Sequence, residues 1–254
     1  FTPSQSAGQV LAALVAGDVR QHNATLIEGW TLAQALSYLQ GFDALDFDIV
    51  SANDPRLLRL LSDSIGDLGM PYGGGSSGGS SASSSGSSSG GSADASAANF
   101  TPADLVSTLA EYGVEGLFAP DTYRFERGAK ASEILLRAHS LTLQTLAQEW
   151  NQRSERSVAG TPYEALILGS IIEKEAGIDT ERARISGVFA NRLRRGMRLQ
   201  SDPTTIYGLG VDYTGALTRA QLDAQTPYNT YRVNGLPPTP ISLVGVASLQ
   251  AALQ

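Results

Sequence analysis

A long low-complexity run divides this chain into two parts. Residues 73–98 consist of Gly, Ser and Ala, apart from a single Asp. Side chains this small cannot bury enough apolar surface to offset the entropy lost when a segment becomes ordered. We therefore expect a disordered linker or surface insertion there, inside a variable segment 51–99 that separates residues 1–50 from residues 100–254.

The first part, residues 1–50, has the pattern of a small α+β unit. Apolar side chains recur at helical spacing over residues 4–16, and residues 24–27 form a candidate strand. Thr31 is of a residue type favoured at N-caps, so a second helix is expected to follow it. The apolar face of that helix would comprise Leu32, Ala35, Leu36 and Leu39.

The remainder is mainly helical in pattern. Apolar spacing and capping residues predict helices over residues 54–61, 101–112, 131–150, 161–175, 180–195 and 218–224. The aromatic-rich segment 116–125 is expected to be a loop, as is most of the chain from residue 199 onward. The expected fold class is α+β, a small α+β module joined to a mixed, mainly helical domain.

Composition excludes several classes of function. The formal net charge of −7 argues against a nucleic-acid partner, because phosphate backbones attract clustered positive charge. The absence of cysteine excludes thiolate metal sites and cysteine nucleophiles. His22 and His139 have no metal-ligand spacing, so we expect neither a metal centre nor a Ser-His-Asp triad. No cofactor is expected.

The predicted helix 161–175 places carboxylates at the end of an apolar stretch. On a helix Glu175 lies over Ile171 and Leu168, so it would continue the apolar stripe. A carboxyl that loses hydration is protonated more readily, and protonated carboxyls are the usual proton donors in the cleavage of glycosidic bonds. The alternative is a helix end that reaches water, with Glu173 and Glu175 as solvated charges. The pattern alone favours this alternative.

Two later segments combine amide, hydroxyl and aromatic groups. They are residues 199–208 and residues 226–238. An aromatic ring can stack on the apolar face of a sugar while amides and hydroxyls bind its hydroxyl groups, so both segments suit a carbohydrate site on loops. Asp202 could equally serve as a turn residue or N-cap, and the prolines could serve ordinary packing.

Four arginines crowd the end of the predicted helix 180–195: Arg192, Arg194, Arg195 and Arg198. They could bind an anionic substrate group such as a lactyl or peptide carboxylate. Cations near a helix C-terminus are also favoured by the helix dipole without any ligand, and we prefer this second interpretation.

Several long motifs in this order resemble the MltG (YceG-like) family of endolytic murein transglycosylases. The motifs are residues 170–176 (SIIEKEA), 188–193 (VFANRL), 196–204 (GMRLQSDPT), 228–231 (YNTY) and 235–238 (GLPP). The resemblance is close over residues 118–252 and looser over residues 1–39. It is absent from the Gly/Ser stretch.

The resemblance implies a lytic transglycosylase with one catalytic carboxylate. Glu175, the second glutamate of Glu-Lys-Glu, would protonate the glycosidic oxygen between N-acetylmuramic acid and N-acetylglucosamine. As a carboxylate it would then assist the muramoyl 6-hydroxyl in closing on C1, leaving a 1,6-anhydromuramoyl end without consuming water. The family usually has Thr after this glutamate, where this chain has Ala176.

The resemblance also implies the surroundings of the site. Residues 1–50 would be a partial LysM-like peptidoglycan-binding module, and residues 100–254 a catalytic domain that stops short of the family's usual C-terminus. Candidates for lining the cleft are Gln200, Asp202, Thr204, Tyr207, Asn229 and Tyr231. Expected partners are peptidoglycan glycan strands and peptidoglycan synthases. The expected location is the periplasmic face of the inner membrane, through a single-pass N-terminal anchor that this sequence does not contain.

Two other functions compete with this one. A non-catalytic peptidoglycan-binding or scaffold protein of the cell-wall machinery would use the LysM-like module for attachment alone. A pyridoxal-phosphate lyase would need a Schiff-base lysine and a phosphate-binding loop. Lys174 is the only candidate lysine, and no glycine-rich phosphate loop precedes a helix near it, so we do not favour that chemistry.

Overall fold

The computed structural model describes residues 20–68 and 113–254, together with residues 6–8, 11 and 15. The Gly/Ser stretch and the helix predicted over residues 101–112 lie outside the described residues, as does most of the helix predicted over residues 4–16. The described elements are β1 (Gln21–Thr25), α1 (Leu32–Gln40), α2 (Pro55–Leu68), β2 (Thr122–Glu126), α3 (Ala131–Asn151), α4 (Pro162–Glu175), α5 (Arg182–Arg194), α6 (Asp202–Leu209), α7 (Arg219–Asp223) and α8 (Val246–Ala252). This content confirms the α+β class.

The sheet of the described region joins strands that are far apart in the chain. β1 pairs antiparallel with β2, with Gln21 opposite Glu126 and Thr25 opposite Thr122. The prediction of a loop over residues 116–125 was therefore wrong for β2. Its burial alternates along the strand, with Tyr123 and Phe125 facing the core, which is the pattern of a half-buried strand. The partner of β1 thus lies outside the module predicted for residues 1–50.

One hydrophobic core draws on residues from both sides of the Gly/Ser stretch. Leu26, Leu39 and Leu57 belong to the same cluster as Phe118 and Leu146. The predicted apolar face of α1 is buried as expected, and Thr31 caps the helix in a capping box with Gln34. The LysM-like identity of the N-terminal unit stays a prediction.

Helix α4 runs through the centre of the described structure. Thr161 caps it by accepting a hydrogen bond from the backbone N–H of Glu164, and its residues from Ala165 to Ile172 are buried. Helix α8 packs against it. Gly169 permits this approach, because a Cβ there would lie 3.0 Å from Val244 Cγ1 and 3.5 Å from Leu249 Cα.

The C-terminal part contains more helix than the sequence predicted. Helices α6 and α8 lie where loops were expected, so that expectation was wrong in part. Both are short, and α8 is held by its packing on α4 and α5. No helix within residues 20–68 or 113–254 is long and apolar enough to cross a membrane.

Candidate active site

An open groove runs along one face of α5 and has a volume of about 440 Å³. We call it the α5 groove. Its lining comprises Glu175, Glu181, Arg184, Ile185, Val188, Phe189, Arg192, Leu199 and Gln200. Glu181, Ile185, Val188 and Arg192 are spaced so that they share one face of the helix. The groove therefore combines an apolar surface with carboxylates, guanidinium groups and an amide.

The helical spacing of Ile185, Val188, Phe189 and Leu193 predicts that all four side chains face the core. Instead Val188 is exposed and lines the groove, while Phe189 is buried behind it. Exposed apolar surface inside a concave site is typical of ligand pockets.

Glu175 is exposed, so the interpretation in which the apolar stripe desolvates its carboxyl is wrong, and the interpretation that the pattern alone favoured is correct. The buried face of α4 stops at Ile172, and the helix itself ends at Glu175, where Ala176 takes an extended conformation. The last turn thus projects beyond the core. The helix end reaches water, as the alternative interpretation held, but it does so inside the α5 groove.

One hydrogen bond holds the Glu175 carboxylate. The hydroxyl of Ser201 donates to Glu175 Oε1 over 2.6 Å, and Ser201 itself is 1% exposed. Ser201 was not among the predicted site residues, although it lies inside the family motif of residues 196–204. Nothing in the sequence shows that this hydroxyl reaches helix α4.

Glu173 points away from the groove, as its helical position predicts. Its side chain is 5% exposed and lies 3.0 Å from Arg182 Nη2, while the backbone N–H of Gly245 donates to its other oxygen over 3.0 Å. Arg182 also pairs with Asp179 and lies 3.9 Å from Glu28. Burial, and then the nearby charge of Glu173, raise the pKa of Glu28. Glu173 is therefore part of a structural ion cluster.

Three of the predicted cleft residues lie near Glu175. Gln200 lines the groove, and its Oε1 accepts a hydrogen bond from Arg192 over 3.0 Å. Tyr231 donates its hydroxyl to Asp202 over 2.6 Å. That hydrogen bond, together with burial and the charges of Asp202 and Glu175, raises the pKa of Tyr231 to about 12.

The other three predicted cleft residues do not line the groove. Thr204 and Asn229 are fully buried. Asn229 uses its amide N–H groups on the backbone carbonyls of three neighbouring residues, so a sugar cannot reach them. Tyr207 donates its hydroxyl to Glu115 over 3.2 Å. These residues hold the loops around the site.

Glu115 is a partly buried carboxyl that the sequence analysis did not select, because it lies in a segment without a strong pattern. It accepts hydrogen bonds from the backbone N–H of Leu32, at the start of α1, and from Tyr207 in α6. Burial outweighs these hydrogen bonds and raises the pKa of Glu115 to about 7. Glu115 thus links the N-terminal unit to the helix that follows the groove.

This carboxyl makes stability depend on pH. The folded chain binds the Glu115 proton more tightly than the unfolded chain, whose glutamates have a pKa near 4.5. The free energy of unfolding is therefore expected to fall by on the order of 2 kcal/mol as pH rises from about 4.5 to about 7. Above pH 7 Glu115 causes no further decrease. Glu115→Gln should abolish this decrease.

This pH-dependent decrease in stability is measured by urea unfolding at a series of pH values, with the wild type beside Glu115→Gln. The comparison also separates the effect of Glu115 from that of His139. Burial lowers the pKa of the His139 ring, so its protonation destabilises the fold at acid pH in both proteins. Parallel pH profiles for the two proteins would contradict this role of Glu115.

Three of the four clustered arginines bind backbone carbonyls. Arg192 donates to Leu199 O over 2.6 Å, Arg198 donates to Tyr231 O over 3.2 Å, and Arg194 donates to Arg156 O. These contacts join the end of α5 to neighbouring segments without any ligand, in agreement with the second interpretation. Arg184 differs, since it lines the groove and has no hydrogen-bond or ion-pair partner among the described residues.

Nothing in the described region gathers three or more His, Asp or Glu side chains in a geometry that could hold a metal ion. The groove itself offers the chemistry of a carboxylate. Glu175 stands in an open, partly apolar groove, which Glu181 also lines, and has a neutral hydroxyl on one of its oxygens. Such a group can give a proton to a bound molecule and take one back.

Comparison with known proteins agrees with the motifs. The endolytic murein transglycosylase of Bacillus subtilis is 31% identical over 150 residues, which are 59% of this chain and 41% of that protein. The protein of the same name from Streptococcus pneumoniae serotype 2 is 28% identical over 148 residues, 57% of this chain and 26% of that protein. The chain thus spans less than half the length of either relative.

The fold has a solved counterpart. A yceG-like protein from Listeria monocytogenes, known from a crystal structure, matches with a TM-score of 0.63 and 27% sequence identity, covering 100% of this chain and 73% of that protein. The family model of the YceG-like family matches residues 1–254. Because that match spans the whole sequence, the chain belongs to the YceG-like family.

Proposed function

We propose that this chain cleaves murein glycan strands internally, as a lytic transglycosylase, with Glu175 as the catalytic residue. The observation that carries the proposal is the exposed Glu175 carboxylate in the α5 groove, hydrogen-bonded by Ser201. The relatives named endolytic murein transglycosylase support the same class of reaction.

Glu175 would act twice in the reaction. In its protonated form it gives a proton to the oxygen that links N-acetylmuramic acid to N-acetylglucosamine, and the C1–O bond of the muramic residue breaks. The resulting carboxylate then takes the proton of the muramoyl 6-hydroxyl as that oxygen bonds to C1. The proton returns to Glu175, no water is consumed, and the product ends in a 1,6-anhydro ring.

The groove suits a glycan for two reasons. Its apolar side chains Ile185 and Val188 offer a surface to the apolar faces of sugar rings, while Gln200 and the arginines offer hydrogen-bond donors. A bound glycan would also displace water from around Glu175, and desolvation favours the protonated carboxyl that the first step needs.

Glu181 raises a second possibility, because it lines the same groove. Two carboxylates at a glycosidic bond can hydrolyse it with water instead. Mass analysis of the products from uncrosslinked glycan strands separates these reactions. Anhydromuramoyl ends support the proposal, whereas reducing ends, heavier by one water, would show a hydrolase. Intact glycan that still binds the protein would favour the binding or scaffold function.

Arg184 is a candidate for recognising the carboxylates of the muramoyl peptide. Arg184→Ala is expected to raise KM about two- to five-fold for glycan that carries peptide stems, since an exposed ion pair contributes little energy. Glycan stripped of its peptides should show no change. Arg195→Ala is the matched control, because it removes the same charge from an exposed arginine just past the end of α5, outside the groove lining. Equal effects of both variants on both glycans would argue against this role.

The activity also implies where the protein acts. Murein lies outside the cytoplasmic membrane, so we place the groove on that side. A LysM-like module for glycan attachment, a single-pass inner-membrane anchor and synthase partners stay predictions of the resemblance.

A further inference from the structure

We infer that Ser201 is a positioning residue for the catalytic carboxylate, an inference that rests on the proposed function of Glu175. Its hydroxyl holds Glu175 Oε1, so that the proton is given and taken back at Oε2. This role deepens the proposed mechanism by assigning a separate task to each oxygen of the carboxylate.

The contact itself has the geometry of a strong hydrogen bond. The distance of 2.6 Å between Ser201 Oγ and Glu175 Oε1 is in the range of a hydroxyl bound to a carboxylate. Glu175 is exposed, and a free glutamate side chain would sample many rotamers. The residue that follows it, Ala176, has no hydroxyl. Within the described part of the chain, Ser201 is the hydrogen-bonding partner of this carboxylate.

Two hydrogen bonds hold the backbone of Ser201 itself. Its backbone N–H donates to Thr230 Oγ1 over 3.0 Å, and its carbonyl accepts a hydrogen bond from the Thr204 hydroxyl over 2.7 Å. The two threonine hydroxyls lie 2.8 Å apart, and all three residues are buried. A hydroxyl in such a network can direct its neighbour because it cannot move far.

The backbone at Gln200, just before Ser201, is strained, and this conformation directs the Ser201 side chain toward Glu175. Gln200 has a φ of +54°, and it is the one residue other than glycine with a positive φ in the described ranges. This conformation is unfavourable for a residue with a Cβ. It is retained by the hydrogen bond from Gln200 N–H to Thr230 O, 3.1 Å long. The turn lets Gln200 line the groove while Ser201 faces Glu175.

The arrangement suits a carboxyl that must act first as acid and then as base. A protonated carboxyl has one carbonyl oxygen and one hydroxyl, and the Ser201 hydroxyl can donate to the carbonyl oxygen. After the proton leaves, the same hydroxyl donates to the carboxylate. The Ser201 contact is thus compatible with both protonation states, and Oε2 remains free to meet the glycan.

Ser201→Ala tests the inference. We expect kcat to fall about 10- to 100-fold with KM changed less than three-fold, because the carboxyl loses its orientation while the groove keeps its shape. The pH profile of kcat/KM is recorded on the same variant beside the wild type. Ser201→Thr restores the hydroxyl and should recover most of the activity.

Ser186→Ala is the matched control. Ser186 is also buried, and its hydroxyl donates to the backbone carbonyl of Ala251 at 2.6 Å, away from Glu175. It should keep the wild-type kcat and pH profile. If Ser201→Ala does not fold, Ser201→Cys takes its place, because a thiol has nearly the same volume as the hydroxyl and is only a weak hydrogen-bond donor. Its kcat and pH profile are then compared with those of the wild type.

Two failures can be told apart. If Glu175→Gln leaves cleavage intact, the proposed function fails and the role of Ser201 fails with it. If Glu175→Gln is inactive but Ser201→Ala keeps the wild-type kcat and pH profile, only the positioning role is wrong.

Discussion

Glu175→Gln is expected to lower the rate of glycan cleavage by about 100- to 10,000-fold, the range that a positioned acid or base contributes. The amide keeps the shape of the side chain and can still accept the Ser201 hydrogen bond, but it cannot give or take the proton. Because Glu175 is exposed at a helix end, the fold should be unaffected. Release of anhydromuramoyl products measures the rate, and glycan pull-down measures binding, which should persist.

Glu181→Gln is the control for this experiment. It removes a carboxylate from the same groove and makes the same chemical change, so it should keep most of the activity. Full activity of Glu175→Gln would refute the assignment. If Glu173→Gln folded normally and were the inactive variant, the proton donor would be on the other face of α4.

Arg182→Ala is expected to lower the free energy of unfolding by about 3 kcal/mol or more, because it leaves a buried carboxylate without its partner. The side chains of Arg182 and Glu173 are only 11% and 5% exposed. Arg182 is also within 3.9 Å of Glu28 and donates to Ser248 Oγ, so one substitution removes several contacts. Its loss would release the end of α4 that positions Glu175.

Urea unfolding, followed by circular dichroism, measures this loss. Arg219→Ala, in the exposed short helix α7, should change stability by less than about 0.5 kcal/mol. The double variant Arg182→Met with Glu173→Leu should recover part of the stability, because a buried ion pair can be replaced by apolar side chains. Wild-type stability of Arg182→Ala would show that the ion cluster does not hold the helix end.

The sequence predicted most of the longer helices well, but it ended α2 at residue 61, whereas the helix continues to Leu68. Thr31 and Thr161 cap α1 and α4 as expected, and α3 follows its apolar spacing almost to the residue. Local capping and periodicity determine such elements. Strand β2 and helices α6 and α8 were missed, because short elements are stabilised by partners distant in the sequence, such as β1 for β2.

The candidate site was predictable in part. Glu175 was selected from its place at the end of an apolar helix and from the surrounding motif. Of the two interpretations of that place, the desolvated carboxyl was wrong and the solvated helix end was correct. Asp202, Gln200 and Tyr231 lie near it, whereas Thr204 and Asn229 are buried supports. A polar residue on a loop can face a ligand or the interior, and its type does not distinguish the two.

By itself the sequence determined the helices, their caps, the family motifs and the glutamate on which the chemistry depends, because these follow from neighbouring residues. Only the tertiary structure decided that Glu173 is bound by Arg182 while Glu175 is open to a groove, and that Ser201 reaches across to hold it. The physical reason is that burial and hydrogen bonding depend on which distant segments meet. Glu173 and Glu175, on one turn of α4, therefore differ in role: the first belongs to a structural ion cluster, and the second is the proposed catalytic residue.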